Sequence, residues 1–270
     1  MLSLGILGVG HLARYTVKGL RNAGDQRTVI LSPRGQSTAQ QLAQHSNCSI
    51  AESNQQVIDQ ADIILLAVRP QALPELLSGL TFKPEQVVVS VIAGLSLEQL
   101  KDYINLQTCT LIRALPSTSA EVNSGPIPIY PANKVVEQLF STLGQAVPLN
   151  SESLFDIALS HACLHGWSYF LVQRLIDWST AQGMDEKTAR QMVAHSIGSA
   201  IDFAESQPEL SYGEIGRSIA TEGTFTETGQ KRIHEHNGFD AWANAMTAIK
   251  NINNRSNNDS LTKRPVVNED

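Results

Sequence analysis

Apolar residues along the first 150 positions come in short, nearly unbroken runs separated by helical patterns. The runs are Leu2–Leu7, Thr28–Leu31, Ile63–Val68, Val87–Ile92 and Thr110–Ala114, with a weaker one at Cys48–Ala51. Between them lie Ala13–Ala23, Ser37–His45, Asn54–Gln60, Leu73–Leu77 and Leu97–Tyr103, whose apolar residues recur at helical spacing. Strands without polar alternation are buried on both faces, so the alternation predicts a parallel sheet covered by helices on each side. Two further extended runs, Ile127–Tyr130 and Ala146–Leu149, flank a helical pattern at Lys134–Leu143. Pro126, Pro128 and Pro131 fit the edge of a sheet better than its centre.

Beyond Asn150 the period changes. Residues from Glu152 to Asn253 read as helices: a long one ended by Gly183, a second over Asp185–Ala204 with Asp185 as N-cap, a third after Pro208, and a last from Phe239 to Ile252. The polar stretch from Asn253 has few apolar groups and reads as disordered. The expected organisation is a Rossmann-type α/β domain over 1–151, an all-α domain over 152–253, and a tail over 254–270. A long apolar helical half without a sheet of its own suits dimerisation, so a homodimer or higher homo-oligomer is expected.

Composition narrows the function classes. The chain has 270 residues, 42% hydrophobic, which supports a substantial core. Its net charge of −6 argues against a nucleic-acid partner. Cys48, Cys109 and Cys163 are too scattered for a metal cluster or a disulfide framework, and the first strand follows no charged n-region and cleavage site. No apolar run is long enough for a membrane span. The expectation is a soluble cytoplasmic protein.

The first strand opens into Gly8-Val9-Gly10-His11-Leu12-Ala13 and then a helix. Gly-x-Gly-x-x-Ala between a strand and a helix is the dinucleotide-binding pattern. Gly8 permits the turn, Gly10 lets the backbone approach a pyrophosphate, and Ala13 lets helix and strand pack closely. The second strand ends in Ser32-Pro33-Arg34 rather than an acidic residue. A hydroxyl and a guanidinium there favour a 2′-phosphate, hence NADP(H). His161 and His165 lie four apart on a helix but lack a carboxylate partner, so no metal is expected. Ser117, Ser119 and Ser168 carry no nucleophile-elbow pattern, which leaves hydrolase chemistry unsupported.

With these residues in view the chain resembles the pyrroline-5-carboxylate reductase family from Leu2 to Arg255. Gly8–Ala13 resembles its cofactor loop, and Ala67-Val68-Arg69-Pro70-Gln71 its Ala-Val-Lys-Pro-Gln segment over the cofactor. Asn54 matches an asparagine on the adenosine side. Ser90-Val91-Ile92-Ala93-Gly94 resembles Ser-x-x-Ala-Gly, and Arg113-Ala114-Leu115-Pro116-Ser117-Thr118 resembles Arg-x-Met-Pro-Asn-Thr. The resemblance implies cofactor contacts from Gly8, Gly10, His11, Leu12, Ala13, Ser32, Arg34, Asn54, Ala67, Val68, Arg69, Pro70 and Ala93. Ser218 falls where the family often has an asparagine near the cofactor.

In the helical half, Thr221-Glu222-Gly223-Thr224-Phe225-Thr226 stands in place of Ser-Pro-Gly-Gly-x-Thr, and His165-Gly166-Trp167-Ser168-Tyr169 in place of Ser-Gly-Pro-Ala-Tyr. The resemblance implies substrate contacts from Glu205, Gly223, Thr224, Phe225 and Thr226, with the Thr226 hydroxyl assisting protonation of an imine nitrogen. Backbone amides of the Thr221–Thr226 loop would hold the substrate carboxylate. Glu222, Thr224 and Trp167 depart from the pattern and reshape that end. The implied reaction is hydride transfer from NADPH to a cyclic C=N bond, as in making proline from 1-pyrroline-5-carboxylate. A related imine or ketimine reductase and a non-catalytic NADP-binding homologue stay open as alternatives.

Overall fold

The computed structural model describes residues 1–103 and 109–262. Among the described residues, eight strands form one sheet in the order β3-β2-β1-β4-β5-β6-β7-β8. They are β1 (Leu4–Leu7), β2 (Val29–Leu31), β3 (Cys48–Ile50), β4 (Ile63–Leu66), β5 (Val87–Ser90), β6 (Thr110–Ala114), β7 (Pro126–Tyr130) and β8 (Gln145–Pro148). All neighbouring pairs are parallel except β6–β7. In β4, Ile63 and Leu65 face one hydrophobic layer while Ile64 and Leu66 face the other. Burial on both faces is why the strands read as continuous apolar runs.

The prolines mark a different position from the one expected. β7 lies one strand inside the edge, which is β8. The carbonyls of Gly125 and Ile129 accept N–H groups of Gln145 and Leu149, whereas that of Pro128 accepts from Leu115. Peptide groups alternate sides along a strand, so the missing donors of Pro126 and Pro128 both fall on the β6 side. There the register is short, with Arg113 opposite Tyr130 and Ala114 opposite Ile129. The prolines are tolerated because little of that ladder exists.

Among the described residues six helices accompany the sheet: α1 (His11–Asn22), α2 (Gln36–Leu42), α3 (Asn54–Gln60), α4 (Leu73–Leu77), α5 (Leu97–Tyr103) and α6 (Lys134–Ser141). Helix α1 packs closely on the 3₁₀ turn Thr118–Val122. A Cβ at Gly19 would run into the carbonyl oxygen of Ala120. Asn123 Nδ2 fastens the same region, donating to the carbonyls of Gly19 and Thr142 at 2.8 Å each.

The second half is helical: α7 (Glu152–Ala181), α8 (Glu186–Glu205), α9 (Tyr212–Ile219), α10 (Phe225–Glu235) and α11 (Gly238–Thr262). Asp185 caps α8 by accepting the N–H of Thr188. The helical segment expected after Pro208 divides into α9 and α10. The break falls at Thr221–Gly223, where Gly223 has φ +83°. Helix α11 continues to Thr262, ten residues past the end expected from the sequence, and residues 263–270 of the expected tail lie outside the described residues.

The chain forms two compact units, Met1–Ala162 with the stretch from Lys250, and Cys163–Ile249. The first turns of α7 therefore belong with the sheet, where Phe155 is buried. In the helical unit Phe170, Trp178, Met192, Ile201 and Phe203 are all exposed. Trp167 and Trp242 meet edge to face at 6.5 Å and line a groove of about 440 Å³ with Phe170, Leu171 and Arg174. No described helix is long and apolar enough to cross a membrane.

Candidate functional site

Strand β1 is flanked by β2 on one side and β4 on the other, and a ligand crevice opens at such a switch point, beyond the carboxyl ends of the strands. Gly8 leaves β1 with φ +99°, a backbone conformation that L side chains rarely adopt. A Cβ there would meet Val68 Cγ1 at 2.5 Å and the Ala67 carbonyl at 2.8 Å, so the end of β4 closes directly on the turn. Gly10 is different. Nothing lies within 4 Å of the Cβ it lacks. Gly10 is also the N-cap of α1, and no side chain caps that helix. The first-turn N–H groups are therefore free to meet an anion approaching over Gly10. His11 is exposed, Leu12 half-buried and Ala13 fully buried against the sheet.

Ser32 does not face this opening. It is completely buried, and its Oγ accepts the N–H of Gly8 at 3.1 Å. Its own N–H bonds to the Ile6 carbonyl, which keeps the residue in line with the sheet. Ser32 Oγ thus supports the glycine turn by accepting its N–H, a contact that leaves the hydroxyl proton available to a further acceptor. Arg34 does face solvent. Its Nη2 meets Glu75 Oε1 at 2.7 Å, with both side chains about two-thirds exposed. Asn54 opens α3, with Ser53 as its cap, and its Oδ1 is buried without a hydrogen-bond partner. Arg69 and Ala93 are exposed after β4 and β5, and Pro70 begins the 3₁₀ turn that leads into α4. The carboxyl ends of the strands thus carry every expected cofactor residue of the sheet unit, with Ser32 buried beneath the glycine turn. An open approach over Gly10, an uncapped helix start, an orphaned Asn54 oxygen and an exposed guanidinium held by Glu75 fit a phosphorylated dinucleotide.

The remaining expected residues belong to the helical unit. Thr224 caps α10: its Oγ1 accepts the N–H of Glu227 at 3.1 Å and donates to the Thr221 carbonyl at 2.7 Å. Glu227 Oε2 accepts the N–H of Gly223 at 2.9 Å, and its Oε1 meets Lys231 at 2.6 Å. The Lys231 contact and the Gly223 N–H hold the Glu227 carboxyl below the usual range. The N–H of Thr224 goes to the Thr221 carbonyl. Two of the amides in the loop expected to hold a substrate carboxylate, those of Gly223 and Thr224, are thus engaged within the loop. What faces outward is the next turn, with Thr226 exposed and Phe225 98% exposed. Glu227 is the functional-site neighbour that sequence reasoning missed. Its signal was present as Thr224-x-x-Glu227, the capping-box spacing.

Glu205 ends α8 and accepts the Tyr212 hydroxyl at 2.6 Å, an interaction that raises the Tyr212 pKa. Ser218 returns its hydroxyl to the Ile215 carbonyl at 2.8 Å on the exposed side of α9. His165 Nε2 meets the Tyr169 hydroxyl at 3.0 Å. Among the described residues no group of three His, Cys, Asp or Glu side chains is arranged to hold a metal ion.

A doubly wound sheet with an uncapped glycine turn at its switch point, followed by a helical unit, defines a dinucleotide-binding protein of the Rossmann class. Residues 3–94 match the family model described as NADP oxidoreductase coenzyme F420-dependent, and residues 152–257 match that described as pyrroline-5-carboxylate reductase dimerisation. The pyrroline-5-carboxylate reductase of Pseudomonas aeruginosa is 29% identical over 251 residues, covering 88% of this chain and 90% of the relative. That of Methanosarcina acetivorans is 25% identical, covering 90% and 93%. Among solved structures, the Streptococcus pyogenes 1-pyrroline-5-carboxylate reductase superposes with a TM-score of 0.83 at 22% identity, covering 93% of this chain and 98% of that one. The Plasmodium falciparum pyrroline carboxylate reductase, solved with NADP bound, gives 0.81 at 18% identity, covering 94% and 98%. The matches over both halves of the chain support the pyrroline-5-carboxylate reductase family.

Proposed function

We propose that this chain is an NADPH-dependent reductase that converts 1-pyrroline-5-carboxylate to L-proline, acting in the cytoplasm as a homodimer or higher homo-oligomer assembled through its helical half. The observation that carries the cofactor half is the uncapped start of α1 above an unobstructed Gly10. When bound, NADPH supplies the hydride for the C=N carbon.

The chain's own residues bind, orient and handle the proton. Gly8, Gly10 and the first turn of α1 (His11, Leu12, Ala13) receive the pyrophosphate. Arg34 takes the 2′-phosphate, exchanging Glu75 for it. Asn54, with its unpartnered Oδ1, Ala67–Pro70 and Ala93 would line the cofactor's path, and Ser218 is a further cofactor contact carried by the family resemblance alone. Glu205, Phe225 and the first turn of α10 frame the substrate. Thr226 Oγ holds a proton at the imine nitrogen, so that hydride addition at carbon and protonation at nitrogen yield the secondary amine. Because the amides of Gly223 and Thr224 serve their own loop, the substrate carboxylate is met by the next groups outward, the N–H groups of Phe225 and Thr226.

That same engagement supports a second reading, a reductase for a different cyclic imine, with Trp167 and Glu222 shaping the pocket. NADPH oxidation measured with 1-pyrroline-5-carboxylate beside a panel of cyclic imines tests both. Turnover on the first substrate in preference to the panel upholds the leading reading. Preference for another imine selects the second, and cofactor binding without turnover on any imine leaves a non-catalytic NADP-binding homologue.

A further inference from the structure

One carboxylate oxygen of Glu152 serves two partners. Oε1 accepts the backbone N–H of Leu97 at 2.7 Å and Nη1 of Arg113 at 2.7 Å. The partners follow neighbouring parallel strands. Leu97 opens α5 just behind the turn Ala93–Ser96, and Arg113 lies at the end of β6 before Leu115–Thr118. The start of α5 is otherwise closed locally. Ser96 N–H donates to Gln99 Oε1 at 2.8 Å, and Gln99 N–H to Ser96 Oγ at 3.1 Å. Leu97 instead reaches across to α7.

Arg113 does not need Glu152 in order to be neutralised. It is 2% exposed, stacked over the Phe155 ring at 4.3 Å, and its Nη1 also meets Asp156 Oδ1 at 3.2 Å. Asp156 is thus a second counter-charge for the same buried cation, and among the described residues it makes no bond to the α5 start. The two acids differ in one respect, the Leu97 N–H. A structural ion pair accounts for Asp156, and it leaves that extra contact unexplained.

We infer that Glu152 is a positioning residue of the reductase site. It ties the Ala93 turn to the segment after Arg113, so that the two strand ends beside the nicotinamide keep one spacing. The inference rests on the proposed function for what those turns face. A shift of an ångström or so in such a turn lowers turnover strongly while leaving distant binding contacts in place.

The matched variants are E152A, E152Q and D156A, each compared with wild type by amide hydrogen exchange over residues 91–97, by kcat and KM for NADPH, and by Tm. In E152A, exchange over that turn speeds up and kcat falls by about ten- to a hundred-fold, while KM for NADPH stays within about three-fold. E152Q keeps an acceptor oxygen and restores both readouts. D156A lowers Tm as E152A does but leaves the exchange and kcat close to wild type. Unchanged exchange in E152A, or a fall of kcat in D156A equal to that in E152A, overturns the inference. A wild-type protein that reduces no imine would refute the reductase reading, and the exchange comparison would still decide whether Glu152 holds the turn.

Discussion

Gly8 and Ser32 are joined by a single hydrogen bond, 3.1 Å from the glycine N–H to a hydroxyl with no exposed surface. The bond steadies a left-handed turn from a residue buried in the sheet. A net hydrogen bond of this kind contributes about 0.5–1.5 kcal/mol, or roughly two- to ten-fold in affinity if the turn must be held for binding. S32A is expected to weaken NADPH and NADH by the same factor in a fluorescence titration. A loss confined to NADPH would make Ser32 a phosphate ligand after all.

Arg34 is expected to behave in the opposite way. Its pairing with Glu75 is exposed and contributes little, about 0–1 kcal/mol, so it is easily exchanged for a phosphate. Charged hydrogen bonds to a 2′-phosphate contribute about 1.5–3 kcal/mol, so R34D should raise KM for NADPH by roughly ten-fold or more. KM for NADH should hardly move. Steady-state kinetics with both cofactors decide it, and equal effects on the two would remove Arg34 from cofactor selection.

Thr226 projects from the first turn of α10, and its hydroxyl has no acceptor among the described residues. Valine keeps its shape and removes the proton donor. If that proton goes to the imine nitrogen, T226V should lower kcat by about a hundred-fold with KM for NADPH unchanged. Wild-type turnover in T226V would assign protonation to solvent.

Acid should weaken the sheet unit through Asp25. Burial pushes its pKa up, but the hydrogen bonds and charge of Arg27, with Arg21 behind, outweigh this and hold the carboxyl below its ordinary value. A carboxyl whose folded pKa lies below the unfolded one stabilises the fold fully above the unfolded value, about 3.9, and loses that contribution as pH falls through the folded value. This pair should therefore leave Tm flat from neutral pH to about pH 5 and lower it below about pH 4. D25N strands the Arg27 guanidinium, whose side chain is 7% exposed, and should cost about 3–5 kcal/mol at neutral pH. Thermal melts across pH would show a shallower acid slope in D25N, and an identical slope would discharge Asp25 from this role.

The sheet half was largely legible because each central strand is apolar on both faces and each turn after it carries small or polar residues with a definite task. Ser32 was not. A serine closing a strand reads the same whether its hydroxyl meets a phosphate or the glycine turn beside it, and only the register of β2 against β1 decides. The prolines of β7 were read as an edge, but they report which side of the strand lacks donors rather than where the strand lies. Helix α10 is hidden in the sequence because Thr221–Thr226 aligns with a family motif, although Thr224 and Glu227 stand at capping-box spacing. The internal use of the Gly223 and Thr224 amides follows from that cap and could have been anticipated from it.

The contrast between Gly19 and Gly10 separates two kinds of mutational tolerance. Any side chain at position 19 strikes the backbone of Ala120, so a saturation library selected for folding alone should return glycine there. Position 10 has empty space around it, so the same library should admit alanine and serine freely. Only a second selection, for growth that depends on the bound cofactor, should close position 10. Residues that pass the first sieve and fail the second would map the ligand's path over this protein without a single complex being crystallised.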